Sequence, residues 1–145
     1  MNQVVINLLN NAIKFTQKEG TIKFSISKNK DHVLLIVEDN GIGIEKDQQL
    51  HIFDRFYMAD PSRSRALGGQ GIGLAIVKSV VEAHKGSITV KSKLGLGTNQ
   101  LISIDSVEKV HLDILSNSVV IFSKKDLSIA TIKKEVFGLQ IYEMT

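Results

Sequence analysis

The sequence predicts an α/β protein, a two-layer sandwich in which helices pack on one face of a mixed sheet. Apolar residues recur at spacings of three and four in two segments, which is typical of core-facing helices. Alternating or continuous apolar runs lie between and after those segments, as in strands. With 145 residues, 43% of them hydrophobic, the chain is long enough for one domain with a core.

The elements follow in order along the chain. Helices are predicted over residues 2–16 and 74–83, and the glycine at position 86 ends the second one. Residues 58–73 contain four glycines and the single proline, which predicts a mobile loop. The predicted strands of the sheet are residues 21–27, 33–37, 87–92 and 100–104.

Composition excludes several classes of function. The net charge is only +3 and the basic residues are dispersed, so no nucleic-acid footprint is expected. The chain has no cysteine for a disulfide or thiolate metal site. No apolar run reaches the roughly 18 residues of a membrane span, and no signal peptide is visible. We therefore expect a cytoplasmic segment without membrane contact, whose parent protein can still be membrane-anchored.

The first helix carries a polar stripe besides its apolar one. Asn7, Asn11 and Lys14 are spaced four and three apart and share a face. An amide oxygen is a suitable hard ligand for Mg²⁺, and a lysine is a point charge for phosphate. The alternative is an ordinary solvated polar face.

Two glycine-rich segments add to this pattern. Asp39 ends an apolar strand and precedes Gly41 and Gly43, so its carboxylate is placed to accept a hydrogen bond from an amine such as that of adenine. A tight turn with a capping aspartate is the alternative. Residues 68–74 open onto a helix and form a candidate phosphate cradle. They lack the context of a dinucleotide fold and the Lys-Ser or Lys-Thr pair of a P-loop.

Four segments together resemble a known family. Residues 7–16 (NLLNNAIKFT), 39–44 (DNGIGI), 53–57 (FDRFY) and 68–78 (GGQGIGLAIVK) resemble, in order, the asparagine, first glycine, phenylalanine and second glycine boxes of sensor histidine kinases. The resemblance covers residues 1–104 and implies a fold of the Bergerat type, with ATP and Mg²⁺ bound.

The resemblance also implies roles for individual residues. Asn11 would bind the metal, and with Asn7 and Lys14 would form the catalytic group. The lid over ATP would be residues 58–70, anchored by Phe53 and Phe56, whereas Arg63 and Arg65 are expected to be solvated charges. The implied nucleotide-binding residues are Asn11, Lys14, Phe15, Asp39, Gly41, Gly43, Gly69, Gly71, Gly73 and Leu74.

The family's activity is transfer of the γ-phosphoryl group of ATP to a histidine on a separate dimerisation domain, which this chain does not contain. A response regulator would be an indirect partner. Two alternatives remain open: a non-catalytic, truncated remnant or regulator that binds nucleotide or a partner, and a serine kinase of the anti-sigma-factor type.

The sequence departs from the family pattern in three places. The chain begins inside the first helix, so one edge of the sheet is expected to be exposed. Asn99 and Gln100 stand where the family places an aromatic residue. Residues 105–117 are a predicted linker. After it, strands are predicted at residues 118–122 and 139–142 and a helix at residues 126–137. This β-α-β segment, residues 118–145, resembles the start of a receiver domain. That segment has Ser123, Lys124 and Lys125 where an acidic pair would bind metal, which implies a truncated, inactive receiver-like unit.

Overall fold

A computed structural model describes residues 2–28, 31–105 and 118–123 of the chain. It contains three helices, a short 3₁₀ turn at Gln48–Leu50, and five strands. The helices are α1 (Asn2–Phe15), α2 (Pro61–Ala66) and α3 (Gly73–Ala83), and the strands are β1 (Thr21–Lys28), β2 (His32–Asp39), β3 (Gly86–Lys93), β4 (Gly97–Asp105) and β5 (Ser118–Ser123).

The core lies between the sheet and the pair α1 and α3. The apolar stripe of α1 is almost completely buried, with Val4 and Leu8 at 0% exposure. Val77 and Val81 of α3 are equally buried and belong to the same cluster. Removal of these stripes from water is the main favourable contribution to folding. Because the apolar side of each helix packs against the sheet, the polar side of each helix is the one that remains accessible to other groups.

The five strands form one sheet in the order β3-β4-β2-β1-β5. The predicted two-layer α/β sandwich is confirmed, and each of the four pairings between described strands is antiparallel where a mixed sheet was expected. The register between β2 and β4 places Gln100 opposite Val37 and Thr98 opposite Asp39. These pairs lie on the same side of the sheet because side chains two residues apart share a face.

The two faces of the sheet differ in polarity. Val33, Leu35 and Val37 of β2 point into the core. On the other face Lys23 Nζ lies 3.7 Å from a carboxylate oxygen of Glu38, and both side chains are substantially exposed. Such an ion pair contributes little to stability, so the outer face is a solvated surface.

One predicted loop proved to contain a helix. Residues 58–73 were expected to be irregular, yet Pro61–Ala66 form α2. The Asp60 carboxylate accepts a hydrogen bond from the backbone N–H of Arg63, and Pro61 occupies the first turn of the helix. An aspartate cap followed by proline is a known helix start, so the loop prediction was wrong at these six residues.

The strand predicted at residues 118–122 is present as β5, and it belongs to the same sheet as the rest. It pairs with β1 over six residue pairs, from Thr21 opposite Ser123 to Ile26 opposite Ser118. The edge of β1 is therefore covered, although an exposed edge was expected. The helix predicted at 126–137, the strand predicted at 139–142 and nearly all of the predicted linker lie outside the described residues.

We expect a chain ending at Asp105 to be less stable than one ending at Ser123, because it loses the ladder between β1 and β5 and leaves the backbone groups of β1 unpaired. The melting temperature should fall by about 5 °C or more, and the shorter chain should self-associate in size-exclusion chromatography. Equal melting temperatures and two monomers would show that residues 118–123 are not needed by the sheet.

Candidate nucleotide-binding site

A cavity of about 210 Å³ lies between α1, the segment after β2, residues 57–74 and the start of β4. Ten of the eleven ligand residues suggested by the sequence line it, and only Gly41 does not. The ten are Asn7, Asn11, Lys14, Phe15, Asp39, Gly43, Gly69, Gly71, Gly73 and Leu74. Segments far apart in sequence therefore converge on one space.

One wall of the cavity is the polar stripe of α1. Asn7, Asn11 and Lys14 face it, together with Asn10, which sequence analysis did not select. The spacing from Asn7 to Asn10 is three residues and could have identified it. Asn7 Nδ2 donates a hydrogen bond to the carbonyl of Gly73 at 3.3 Å. This bond connects α1 to the first residue of α3.

Asp39 lies at the end of β2 and is half-buried. Its Oδ1 accepts a hydrogen bond from the Gly41 N–H at 2.9 Å. Burial raises the pKa of this carboxyl above its ordinary 3.8, while backbone hydrogen bonds from Gly41 and Thr98 act in the opposite direction. The site thus contains a partly desolvated carboxylate that two backbone N–H groups hold in place.

The loop after Asp39 is held by backbone contacts on both sides. The Ile42 N–H donates to the carbonyl of Phe15 at 3.1 Å, and the Ile42 carbonyl accepts from the N–H of Gly95 at 2.7 Å. A Cβ at Gly41 would overlap the Phe15 carbonyl. Gly41 therefore allows the loop to approach the end of α1, although it does not line the cavity.

Another part of the lining comes from residues 58–70, the segment expected to form the lid. Its cavity-lining members include Met58, Asp60 and Ser64. Arg63 and Arg65 are exposed and do not line the cavity, as expected for solvated charges. Gly71 follows the lid directly. It has a φ of 73°, and its carbonyl accepts a hydrogen bond from the N–H of Phe56 at 2.8 Å.

Phe56 does not have the role of an aromatic anchor that was expected for it. The Phe56 side chain is 74% exposed, so this residue holds Gly71 through its backbone only. Its φ of 65° is unusual for a large side chain. Phe53 is partly buried and lies under the Lys78 ammonium, which is 6.0 Å from the ring centroid. Ile52, at 8% exposure, is the buried residue that lines the cavity here.

Two further lining residues were missed by sequence analysis. Thr98 and Gln100 reach the cavity from β4 and are 8% and 4% exposed. Their place depends on the register between β2 and β4, which a single sequence does not reveal. Neither residue lies in the four segments that resemble the kinase family, and the sequence singled out Gln100 only as a departure from the family pattern.

Within the described part of the chain, no group of three or more His, Asp or Glu side chains is arranged to hold a metal ion. Asparagine oxygens and ligand oxygens are the remaining candidates for metal coordination.

No helix among the described residues is both long and apolar enough to cross a membrane.

This arrangement is that of a nucleotide-binding ATPase domain with an amide-rich helix at one wall. Residues 1–120 match the family described as histidine kinase-, DNA gyrase B- and HSP90-like ATPase, and the chain belongs to that family. Within it, the relatives are sensor kinases, and the chain corresponds to their ATP-binding catalytic domain.

Sequence relatives support this assignment over most of the chain. The sensor protein CiaH of Streptococcus pneumoniae is 44% identical over 98 residues, which are 68% of this chain and 22% of CiaH. The sensor histidine kinase RppB of Synechocystis is 42% identical over 111 residues, or 75% of this chain and 24% of RppB. The chain thus spans less than a quarter of the length of either relative.

Solved structures agree on the fold. The mycobacterial sensor histidine kinase MprB aligns with a TM-score of 0.61 and 30% identity, covering 71% of this chain and 68% of that one. Full-length ShkA, solved in complex with AMPPNP, aligns with a TM-score of 0.60 and 31% identity over 70% of this chain and 20% of ShkA.

The raised pKa of Asp39 predicts a specific pH dependence. The folded state protonates this carboxyl more readily than the unfolded state, so folding loses stability as the pH rises from 3.8 through the raised pKa, and then levels off. Asp39→Asn has no such titration, so its stability relative to wild type should increase across that window. Denaturant unfolding of both proteins between pH 3.5 and 7 measures the difference. A difference that does not change with pH would contradict the prediction.

Gly71→Ala should destabilise the chain by about 1–3 kcal/mol, because it adds an unfavourable positive φ and a Cβ that would lie 2.8 Å from the backbone carbon of Phe56. Gly95→Ala is the matched control, since Gly95 has a φ of 79° and open space around it. The control reports the backbone strain alone, as measured by urea unfolding. Equal losses in both variants would contradict a contact contribution at Gly71.

Proposed function

We propose that this domain binds Mg·ATP in the cavity and transfers the γ-phosphoryl group to a histidine on a separate dimerisation domain. The supporting observation is that Asn11, Asp39 and the glycine-rich lid end line one cavity. Asp39 supplies a hydrogen-bond acceptor for the base, whereas Asn11 and the glycine-rich segment supply groups suited to the metal and the phosphates. A structural relative, ShkA, was solved with AMPPNP.

The adenine end of the nucleotide would lie at Asp39. The backbone N–H groups of Gly41 and Thr98 already donate to this carboxylate, and its remaining lone pairs can accept a hydrogen bond from the amino group of adenine. Partial burial makes such a hydrogen bond stronger than it would be in water. Gly43 lines the same region and exposes backbone to a planar ring.

The phosphate end would lie along α1. Lys14 is a cation beside three asparagine side chains, and a chain of phosphates is polyanionic. Asn11 would hold Mg²⁺ through its amide oxygen, with phosphate oxygens and water completing the coordination. These donors fit a hard cation that keeps much of its hydration. When bound, Mg²⁺ supplies neutralisation of the charge on the phosphate oxygens.

The lid and the start of α3 would enclose the phosphates. Gly69, Gly71 and Gly73 place backbone close to the cavity, and Leu74 lines it from the first turn of α3. The first N–H groups of a helix are unpaired within it and favour anions. Closure of this segment would exclude water from the transferred group.

The phosphoryl acceptor would come from another domain. Among the histidines that the structure describes, His32, His51 and His84, none lines the cavity. His84 Nδ1 lies 2.7 Å from the carbonyl of Val80, and His51 Nδ1 lies 3.0 Å from Asp54. Transfer to an external histidine, and from there to a response regulator, fits this arrangement.

Asn11→Ala should weaken binding of ATP about 10-fold or more in the presence of Mg²⁺ and much less in its absence, because it removes a metal ligand. Isothermal titration calorimetry with and without Mg²⁺ separates the two effects. Gln3→Ala is the matched control, since Gln3 is an exposed amide on the same helix that does not line the cavity. A well-folded wild-type protein that fails to bind ATP at millimolar concentration would refute the proposal.

Phosphoryl transfer is tested by the same sample mixed with a dimeric helical-hairpin domain and labelled ATP. Labelling of the hairpin histidine, abolished by Asn11→Ala, supports the kinase. Nucleotide binding without any labelling would support the alternative of a non-catalytic regulator.

A further inference from the structure

Gln100 is a buried polar residue in a place where a hydrophobic one would pack without cost. It is 4% exposed, and its Oε1 is enclosed without a hydrogen-bond partner. An unpaired buried acceptor costs about as much as a lost hydrogen bond. Gln100 also lines the cavity proposed to bind ATP. The amide nitrogen of Gln100 is not enclosed in this way, so it is the group that a ligand in the cavity can reach.

The sheet register places Gln100 near the carboxylate that would hold the base. Gln100 lies opposite Val37, and its neighbour on the same face, Thr98, lies opposite Asp39. Asp39 and Gln100 are thus diagonal neighbours about 7–8 Å apart, with their Cβ atoms somewhat closer, which is within reach of long side chains. Both side chains line the same cavity, so one planar ring can contact both.

The chemistry of the two side chains is complementary. Ionised Asp39 is only an acceptor, whereas Gln100 has a donor pole and an acceptor pole. Since the carbonyl pole is enclosed, the amino group Nε2 is the pole that the cavity can use. Adenine presents an amino donor beside the ring acceptor N1. Guanine presents the reverse order, a carbonyl acceptor beside an N–H donor.

We propose that Gln100 is a specificity-determining residue for the nucleotide, whose Nε2 donates a hydrogen bond to N1 of adenine while Asp39 accepts from the neighbouring amino group. This inference rests on the proposed binding of ATP and adds a second point of base recognition to it. Guanine would place its carbonyl acceptor against the Asp39 acceptor and its N–H donor against the Gln100 donor. Neither pair can form a hydrogen bond, so GTP is rejected at two positions.

The test combines a protein change with a ligand change. Gln100→Leu removes the amide at similar volume, and because it also removes an unpaired buried acceptor the variant should fold; thermal unfolding checks this. Affinities are measured by calorimetry for AMPPNP and for its 1-deaza analogue, in which N1 is replaced by C–H. We expect Gln100→Leu to weaken AMPPNP about 3- to 10-fold and to leave the affinity for the 1-deaza analogue unchanged.

Each outcome has a distinct meaning. If the substitution weakens both ligands equally, or neither, Gln100 does not read N1 and the inference is wrong. Wild-type protein that binds AMPPNP and its 1-deaza analogue equally well overturns it as well, and that measurement needs no variant. Failure of folded wild-type protein to bind AMPPNP at all would instead overturn the proposed function.

Discussion

The burial of the apolar stripe of α1 against the sheet is the constraint on which the site depends. With Val4 and Leu8 fully removed from water, the helix has only one rotational setting. That setting turns Asn11 and Lys14 toward the cavity. Any rotation that moved the polar stripe away from the cavity would expose core residues. The packing that holds the two layers together therefore also orients the side chains proposed to bind the nucleotide.

The other walls of the site are held mainly by the backbone. The loop after Asp39 is attached to the end of α1 through Phe15 and to the β3–β4 turn through Gly95. Gly71 is attached to Phe56 in the same way. Backbone bonds of this kind leave the side chains of the loops free for recognition. They also explain why glycines occur where two backbones approach too closely for a Cβ.

The sequence alone predicted the parts of this protein that rest on local periodicity. The stripes of α1 and α3, the sandwich class and the residues on one helix face follow from spacings of three and four. Capping chemistry at Asp60 and Pro61 was also local, and was overlooked. Thr98 and Gln100 could not be assigned, because their position depends on how β4 aligns with β2, a contact between distant parts of the chain. The pairing of β5 with β1 was unpredictable for the same reason.

The order of the strands has a consequence for biosynthesis. The central strand β2 gains its first neighbour, β1, early in translation, but β1 receives its second neighbour only when β5, the last of the described strands, leaves the ribosome. Until then β1 has no described strand paired with one of its two rows of amide and carbonyl groups. Adjacent ribosomes on one messenger hold such chains close together, where open strands can pair with one another. Rapid arrival of residues 118–123, or a chaperone that shields β1 meanwhile, would favour the correct partner.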